Sequence, residues 1–354
     1  MLLWFQSRKK LTIILLTALL FTTAIIAIAS GPVSISPGLV FQSVLKKSLS
    51  SLGLNTINET PQFLRTIIFE IRIPRVILAL LVGASLATSG VIFQALFKNP
   101  MADPYIIGVS AGGALGASVV LLLGFSFSFL GLSSVSIFAF IGSLLAAYTV
   151  YMIARVGGKV PVSSLLLSGI AIGSFLSAVM SFLMVLKGEG LHAIVFWLMG
   201  GLSAKGWAHV NMFYPFFIIG FFFAMLHVKD LNIILLGDER AAQLGVEVEK
   251  VKRKMLILGS LLAAAAVSVS GLIGFVGLMT PHIVRLIIGP DHKYLLPVST
   301  LGGAIILLSA DTVARVALAP SEIPLGIITA LLGAPFFLML LKGRRETFWE
   351  RSAR

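Results

Sequence analysis

The 354-residue sequence contains no cysteine and few charged residues. The absence of cysteine excludes disulfides, cysteine-ligated metals and thiol chemistry. Asp, Glu, Lys and Arg make up 12% of the residues, about half of what a soluble domain places on its surface. Hydrophobic residues make up 58%, and the mean hydropathy is +1.03. The composition therefore predicts a polytopic membrane protein.

Motifs for nucleotide or metal binding are also absent. The sequence has no G-x-x-x-x-G-K-[ST]; Gly157-Gly158-Lys159 lacks the first glycine of that motif and its hydroxyl residue. The five histidines are scattered, without HExxH or i, i+4 spacing. We therefore predict no metal site and no cofactor in this chain, and any ATP must be bound by another protein.

Long apolar runs dominate what is present. Only helices and closed barrels satisfy every backbone group in a membrane, and runs of about 20 continuous apolar residues indicate helices. The predicted fold class is an all-α polytopic membrane protein with about ten transmembrane helices, in a single domain of residues 1–354. The predicted spans are 11–29, 74–97, 105–124, 135–154, 162–186, 208–228, 255–274, 275–289, 294–318 and 323–342.

Two of these spans have alternative interpretations. The eighth, 275–289, is short and contains Pro281, so it is either a full span or a broken half-helix packed inside the protein. The first resembles a signal peptide, with Arg8-Lys9-Lys10 before an apolar run and Ala27-Ile28-Ala29 after it. Its run of about 19 residues is longer than the usual signal core of about 7 to 15, which favours a retained span.

The distribution of basic residues predicts the orientation. With the N-terminus in the cytoplasm, ten spans place 19 of the 27 Lys and Arg residues inside and leave both termini cytoplasmic. Residues 30–73 then form an outer, periplasmic segment containing an amphipathic helix, LVFQSVLKKSLSSL, and 229–254 form a cytoplasmic loop. Basic loops facing anionic membrane lipid account for the net charge of +13 without nucleic acid as a partner.

A weak internal repeat relates the two halves. Ser89-Gly90, followed ten residues later by Pro100, recurs 181 residues along as Ser270-Gly271 and Pro281. Because these segments end the second and seventh spans, they run in opposite directions through the membrane. This predicts an inverted internal repeat, an arrangement common in transporters.

Charged residues near the spans are candidates for function. Arg72 and Arg75 precede the second span, either as ordinary snorkelling residues or as forks for an acidic partner. Asp311 and Arg315 are four residues apart and share a helix face. Charges within spans are functional candidates by default; an ion relay is possible in principle, but an arginine neighbour keeps the acid ionised.

Two further segments point to interactions. The loop 229–254 contains a predicted short helix that begins at an acidic pair, Asp238-Glu239, and ends at Gly245. The fifth span begins PVSSLLLSGIAIGSFLSA, and its small residues favour close helix packing.

Six blocks of the sequence stand out, in this order: IRIPRVILALLVGASLATSGVIFQALFKNPMADPYIIGVSAGG (71–113), PVSSLLLSGIAIG (161–173), LGDERAAQLGV (236–246), GFVGLMTPHIVR (274–285), LLSADTVAR (307–315) and EIPLGIITALLGAPFFLMLL (322–341). Together they resemble the FecCD family of ABC importer permeases. The resemblance implies a type II importer permease of the inner membrane, without an ATPase site of its own, that moves a metal chelate inward. Among the candidate cargoes, the resemblance favours iron-siderophores first and cobalamin or haem next.

The resemblance also implies partners. They are a second permease copy or a paralogue, two ATPase subunits that bind ATP and Mg, and a periplasmic or lipid-anchored substrate-binding protein.

Site residues follow from the matched positions only. Arg72, Arg75 and Arg315 match arginines that, in a cobalamin-transporting member, meet glutamates of the binding protein, and Asp311 is the expected charge partner of Arg315. Val162 and Ser163 match a hydroxyl pair of the cytoplasmic gate, with valine here in place of threonine. The ATPase-coupling segment is Leu236, Gly237, Asp238, Glu239, Arg240, Ala241, Ala242, Gln243, Leu244 and Gly245. No substrate-binding residue is predicted.

Two other classes of function remain as alternatives. A secondary transporter driven by an ion gradient would need paired acids or a histidine chain within the spans, and Asp311 is almost alone there. A membrane scaffold without transport activity fits the composition, but that function does not account for the coupling segment or the outer arginines.

Overall fold

The computed structural model describes residues 9–51, 61–129, 131–187 and 191–352, and most of them are helical. In this part of the chain we number fourteen helices and one hairpin of two short strands. The helices are α1 (Lys9–Ala29), α2 (Pro37–Ser51), α3 (Gln62–Leu96), α4 (Val109–Leu123), α5 (Ser134–Ala154), α6 (Val162–Lys187), α7 (Leu191–Leu198), α8 (Trp207–Leu226), α9 (Val228–Ile234), α10 (Asp238–Gln243), α11 (Val248–Ser270), α12 (Val276–Ile288), α13 (His292–Val316) and α14 (Leu325–Ser352). The strands are β1 (Ser128–Phe129) and β2 (Leu132–Ser133), paired antiparallel between α4 and α5.

Each of the ten predicted spans contains a helix, which confirms the all-α fold class. Among the described residues, seven helices are long and apolar enough to cross a membrane, and three apolar helices are shorter: Val109–Leu123, Val276–Ile288 and Leu325–Leu340. The amphipathic helix predicted in the outer segment is α2, although residues 52–60, where its predicted end falls, lie outside the described residues. The hairpin was not predicted.

Helix α3 begins earlier than the predicted second span. It extends from Gln62 to Leu96, about 52 Å at 1.5 Å per residue, so part of the outer segment is helical and continuous with the span. A π-helical turn, Ile67–Arg72, ends two residues before Pro74. Because proline cannot donate the next helical hydrogen bond, the widened turn lies where the regular ladder is interrupted.

Helix α3 is the centre of the bundle, packed against α11, α12 and α13. The packing is close because small residues let the backbones approach: a Cβ built on Gly90 would lie 1.8 Å from the carbonyl oxygen of Gly277, and one on Gly83 would lie 2.3 Å from that of Gly303. Buried apolar side chains form one cluster around Phe93 and another around Leu78, toward opposite ends of α3.

Helices α3 and α11 are antiparallel, as the predicted repeat requires. Ser85 Oγ donates to the carbonyl oxygen of Leu262 at 3.1 Å, and Ser89 Oγ donates to that of Gly259 at 2.8 Å, so residue numbers rise along one helix and fall along the other. The two Ser-Gly pairs themselves differ locally. Gly90 lies inside α3, whereas Gly271 ends α11 with a φ of +68°.

The eighth predicted span is a short helix held inside the protein. Helix α12 has 13 residues, about 20 Å of helix, which is less than the roughly 30 Å of a bilayer core. Pro281 leaves the carbonyl of Gly277 without a helical donor, and next to it Gln94 Nε2 donates to the carbonyl oxygen of Leu278 at 3.0 Å. A side chain of α3 thus supplies a hydrogen bond to the backbone of α12 beside the freed carbonyl, which is consistent with the half-helix interpretation.

Candidate functional site

A cluster of four charged side chains joins α3 to α13, and we call Arg75, Asp311, Arg315 and Glu322 the outer charge cluster. Arg75 donates to Asp311 Oδ1 from Nη2 at 2.9 Å and from Nε at 3.1 Å. Arg315 Nε lies 3.0 Å from Asp311 Oδ2, one helical turn along α13. The predicted pairing of Asp311 with Arg315 is therefore present, and Asp311 is a fully buried carboxylate between two arginines.

Glu322 completes the cluster from the loop before α14, and the sequence analysis did not single it out. Arg75 Nη1 donates to Glu322 Oε1 at 2.7 Å, and Ser203 Oγ donates to Glu322 Oε2. Burial alone would raise the pKa of Glu322, but the hydrogen bonds from Arg75 and Ser203 outweigh it and hold the pKa below its usual value. The only signal in the sequence is an isolated acid at the start of the last span, in Glu322-Ile323-Pro324.

Arg72 and Arg315 bind the end of α1. Arg72 Nη1 donates to the carbonyl oxygens of Ile28 and Ala29 at 2.6 and 3.0 Å, and its Nη2 donates to that of Val33. A helix leaves its last carbonyls without donors and carries partial negative charge there, so a buried guanidinium is well matched to this position.

Arg315 makes the same kind of contact from α13. Its Nη2 donates to the carbonyl oxygen of Ala27 at 2.9 Å and its Nη1 to that of Ser30 at 3.1 Å. Both Arg72 and Arg315 are buried, and of the three arginines predicted for docking only Arg75, with 11% of its side chain exposed, borders an open cavity.

That cavity, which we call the outer cavity, has a volume of about 710 Å³. It lies among α7, the end of α11, α13 and the loop before α14. Burial lowers the pKa of Lys205 in its wall. The lining combines aromatic and charged side chains, including Phe196, Trp197, Ser203, Lys205, Arg75 and Glu322.

The predicted cytoplasmic helix is present as α10. Gly237 and Gly245 flank it with φ values of +113° and +84°, in the region that favours glycine. Leu236, Glu239, Arg240 and Leu244 are exposed around it. Exposed apolar side chains beside charged ones are typical of an interaction surface.

Asp238 connects α10 to two neighbouring segments, although 46% of its side chain is exposed. Its Oδ1 accepts a hydrogen bond from Lys98 Nζ at 2.6 Å, and its Oδ2 accepts one from Lys252 Nζ at 2.5 Å. Burial would raise the pKa of Asp238, but hydrogen bonds from Lys252 and Lys98 lower it further than burial raises it. Asp238 therefore fixes α10 to the loop after α3 and to the start of α11.

The predicted gate residues lie beside the same ionic groups. Ser163 is exposed and Val162 is half-buried at the start of α6. The backbone N–H of Val160 donates to Glu249 Oε2 at 3.1 Å, and Glu249 Oε1 is 3.6 Å from Lys252 Nζ. A continuous series of polar contacts thus connects α10 to the segment that precedes α6.

Comparison with known proteins decides the family, because residues 18–343 match the profile of the FecCD transport family. The chain belongs to the FecCD transport family. FecCD relatives include the cobalamin import permease BtuC of Halobacterium salinarum, 48% identical over 80% of this chain and 75% of that protein. Another is the hemin transport permease HmuU of Yersinia pestis, 43% identical over 78% of this chain and 83% of that protein.

A third FecCD relative, the Fe(3+)-citrate import permease YfmE of Bacillus subtilis, is 40% identical over 95% of this chain and 96% of that protein. Among solved structures, a metal-chelate type ABC transporter in an inward-facing conformation matches with a TM-score of 0.80 and 32% identity, over 94% of this chain and 98% of that one. The chain is a multi-pass membrane permease of the ABC importer class with type II architecture. Its FecCD relatives carry different cargoes, so family membership does not specify the substrate.

Proposed function

We propose that this chain is the membrane subunit of a binding-protein-dependent importer for a metal chelate, with an iron-siderophore as the first candidate and cobalamin or haem next. A second copy, two ATPase subunits holding ATP and Mg, and a periplasmic or lipid-anchored binding protein would complete it. The complex would lie in the inner membrane with both termini of this chain in the cytoplasm. The observation that carries the proposal is the geometry of α10, an exposed helix held by the ion pairs of Asp238 with Lys98 and Lys252.

In this proposal α10 is the contact for the ATPase. Its exposed residues Glu239, Arg240 and Leu244 face outward, while Asp238 is tied to Lys98 and Lys252. A displacement of α10 by ATPase closure would move the start of α11 through Lys252. Glu249, on the same turn of α11, would pass that movement to Val160 and so to the gate at Val162 and Ser163.

At the outer end, we assign binding-protein docking first to Arg75. Its guanidinium is now occupied by Asp311 and Glu322, so an acidic group of the binding protein would replace Glu322, the more exposed of the two. Such an exchange would release the loop before α14 from Arg75 and open the outer cavity. Arg72 and Arg315 would support docking indirectly, because they position the end of α1 beside the cluster.

The second copy would pack on α6 and α14. Both helices expose large apolar side chains, such as Leu167 and Phe175 on α6 and Leu331 and Met339 on α14. Lipid would also accept these side chains, but the Gly, Ser and Ala residues along α6 favour packing against another helix. In this arrangement the substrate path would lie between two copies of the chain.

The experiment is affinity purification of the tagged chain from its native membrane in mild detergent, followed by quantitative mass spectrometry. The test variant is Glu239→Ala/Arg240→Ala. The matched control is Glu247→Ala/Lys250→Ala, which removes an exposed ion pair of 2.5 Å from the same cytoplasmic region. We expect an ATPase subunit to copurify with the native chain and the control, and at least tenfold less with the test variant.

Two results would contradict the proposal. Recovery of no ATPase with the native chain, under conditions that preserve a known ABC importer, would reject the importer function. Equal loss in the test and control variants would reject α10 as the contact. If the ATPase is recovered as expected, the binding protein that copurifies with the complex would be used to identify the cargo.

A further inference from the structure

The outer cavity contains a cation that the outer charge cluster does not balance. Within the cluster, Asp311 contacts both Arg75 and Arg315, and Glu322 contacts Arg75. The two acids and the two arginines therefore compensate one another. Lys205 belongs to the wall of the same cavity, but it takes no part in these contacts.

Lys205 has no acidic partner of its own. Among the residues that the structure describes, its ammonium makes no ion pair and no hydrogen bond. Its titratable neighbour His209 carries no negative charge, and His209 Nδ1 accepts from the backbone N–H of Gly206 at 3.4 Å. Burial lowers the pKa of Lys205, because water is partly removed from the ammonium and no carboxylate offsets that cost. An anion that entered the cavity would offset it.

The segment that carries Lys205 is attached to the bundle on both sides of the lysine. Before it, the backbone N–H of Gly201 donates to the carbonyl oxygen of Ser270 at 2.7 Å. After it, Trp207 Nε1 donates to the carbonyl oxygen of Phe69 at 2.9 Å. The backbone at Lys205 is therefore held in place before any ligand arrives, which lowers the cost of using this side chain for binding.

Aromatic rings of α7 form another part of the wall. Phe196 and Trp197 both line the cavity, and 51% of Phe196 is exposed. The volume of about 710 Å³ lies within the range of about 300 to 1,000 Å³ for small-molecule sites, which combine apolar and aromatic walls with a few placed polar groups. The rings suit the organic shell of a chelate, and the ammonium suits an anionic group on that shell.

We propose that the outer cavity selects metal chelates that carry a carboxylate, and that Lys205 is the residue that binds this carboxylate. The inference rests on the proposed importer function, in which docking at Arg75 opens the cavity. Arg75 itself is occupied by acids of the protein. A carboxylate and an ammonium form strong charge-assisted hydrogen bonds, whereas a neutral or cationic chelate gains no such bond at Lys205.

The test compares three forms of one ferric trihydroxamate chelate, ferrioxamine B. Its free amine tail carries a positive charge, the N-acetyl form is neutral, and the N-succinyl form ends in a carboxylate. Isothermal titration calorimetry would measure the binding of each form to the purified full-length chain in mild detergent at about pH 7, where Lys is ordinarily charged and a carboxyl group is ionised.

Four variants accompany the native chain. Lys205→Gln removes the charge, and Lys205→Arg keeps it. Phe196→Ala shortens the aromatic wall without changing any charge. The control is Lys47→Gln, which removes an exposed lysine that contacts the ring of Phe69 and does not line the outer cavity.

We expect the native chain to bind the succinyl form at least tenfold more tightly than the acetyl form, and the amine form least. Lys205→Gln should lose about tenfold or more in succinyl affinity, because a hydrogen bond to a charged group is removed, and should leave acetyl affinity within about twofold. Lys205→Arg and Lys47→Gln should keep the preference. Phe196→Ala should weaken all three forms alike. If Lys205→Gln does not fold, the preference of the native chain and of Lys205→Arg still decides.

Three results would overturn the proposal. Equal affinities of the native chain for the three forms, or no binding of any of them, would show that the cavity does not select a carboxylate. An equal loss of succinyl affinity in Lys47→Gln would show general attraction to the basic outer surface. Loss of the binding protein from the purified Lys205→Gln complex, without any chelate preference, would assign Lys205 to docking instead.

This outcome is separable from that of the proposed function. The calorimetry needs neither an ATPase nor a binding protein, so a native chain that recovers its ATPase but shows no chelate preference would reject this inference alone. A chain that prefers the succinyl form but recovers no ATPase would reject the importer function and leave the site at Lys205 in place.

Discussion

Replacement of Asp311 by asparagine should destabilise the protein strongly. Asp311 is fully buried and contacts Arg75 at 2.9 Å and Arg315 at 3.0 Å. Asparagine keeps the shape but leaves two guanidinium groups near each other without their shared anion. Removing one partner from a buried ion pair costs about 3 to 5 kcal/mol, and we expect a loss in that range.

Glu322→Gln provides the matched comparison. It removes the same charge from the other side of Arg75, but 32% of the Glu322 side chain is exposed and solvent screens the remaining charge. An exposed pair contributes about 1 kcal/mol or less. The measurement is the free energy of unfolding of each variant in mixed detergent and SDS micelles, followed by circular dichroism.

The contrast between the two variants is the test of the reasoning. Asp311→Asn should lower the free energy of unfolding at least about 2 kcal/mol more than Glu322→Gln. If the two losses are equal, or if Glu322→Gln costs more, then burial does not decide the strength of the outer charge cluster. A control variant at Lys10, an exposed charge outside the cluster, should leave stability unchanged.

The remaining predictions concern helix packing and the ion pairs of α10. Gly90→Ala would place a methyl group 1.8 Å from the carbonyl oxygen of Gly277, so it should lower the free energy of unfolding by about 3 kcal/mol or prevent folding. The control, Gly173→Ala, has no atom within 4 Å of the added methyl group and should lower it by less than about 1 kcal/mol. Thermal unfolding in detergent compares the two variants, and equal losses of stability would contradict the close packing at Gly90. The pKa of Asp238 is lowered in the folded state, so the stability from Lys98 and Lys252 should be complete above the ordinary Asp pKa of about 4 and disappear as the pH falls through the lowered folded value. The Asp238→Asn variant should therefore lack this pH-dependent loss of stability in acid unfolding. Identical acid-unfolding profiles for the native chain and the variant would refute the prediction.

Local features of the fold were predictable from the sequence. Long apolar runs identify spans because the membrane requires them, and all ten contain helices. The short helix α10 follows from its acidic start and closing glycine, and the pairing of Asp311 with Arg315 follows from their spacing on one helix. Each of these inferences uses residues that are close in the chain.

Features that depend on distant residues were not predictable. Arg75 meets Asp311 and Glu322 across 236 and 247 residues, and no local pattern indicates such a contact. The partners of Arg72 and Arg315 on α1 are backbone carbonyls, which every residue carries and which leave no mark in the sequence. The sequence analysis interpreted Arg72 as a snorkelling residue or a fork for an acidic partner and paired Arg315 with Asp311; the backbone carbonyls at the end of α1 are further partners of both arginines.

The backbone contacts of α3 with α12 and α13 have a mechanical consequence. Where Gly90 meets Gly277 and Gly83 meets Gly303, a slip of one residue along either helix would bring a side chain into a space that holds none. These three helices cannot slide or rotate against one another without separating. Any large change of shape must therefore move them together as one rigid body, with the displacement taken up at helices such as α6 that have few buried contacts.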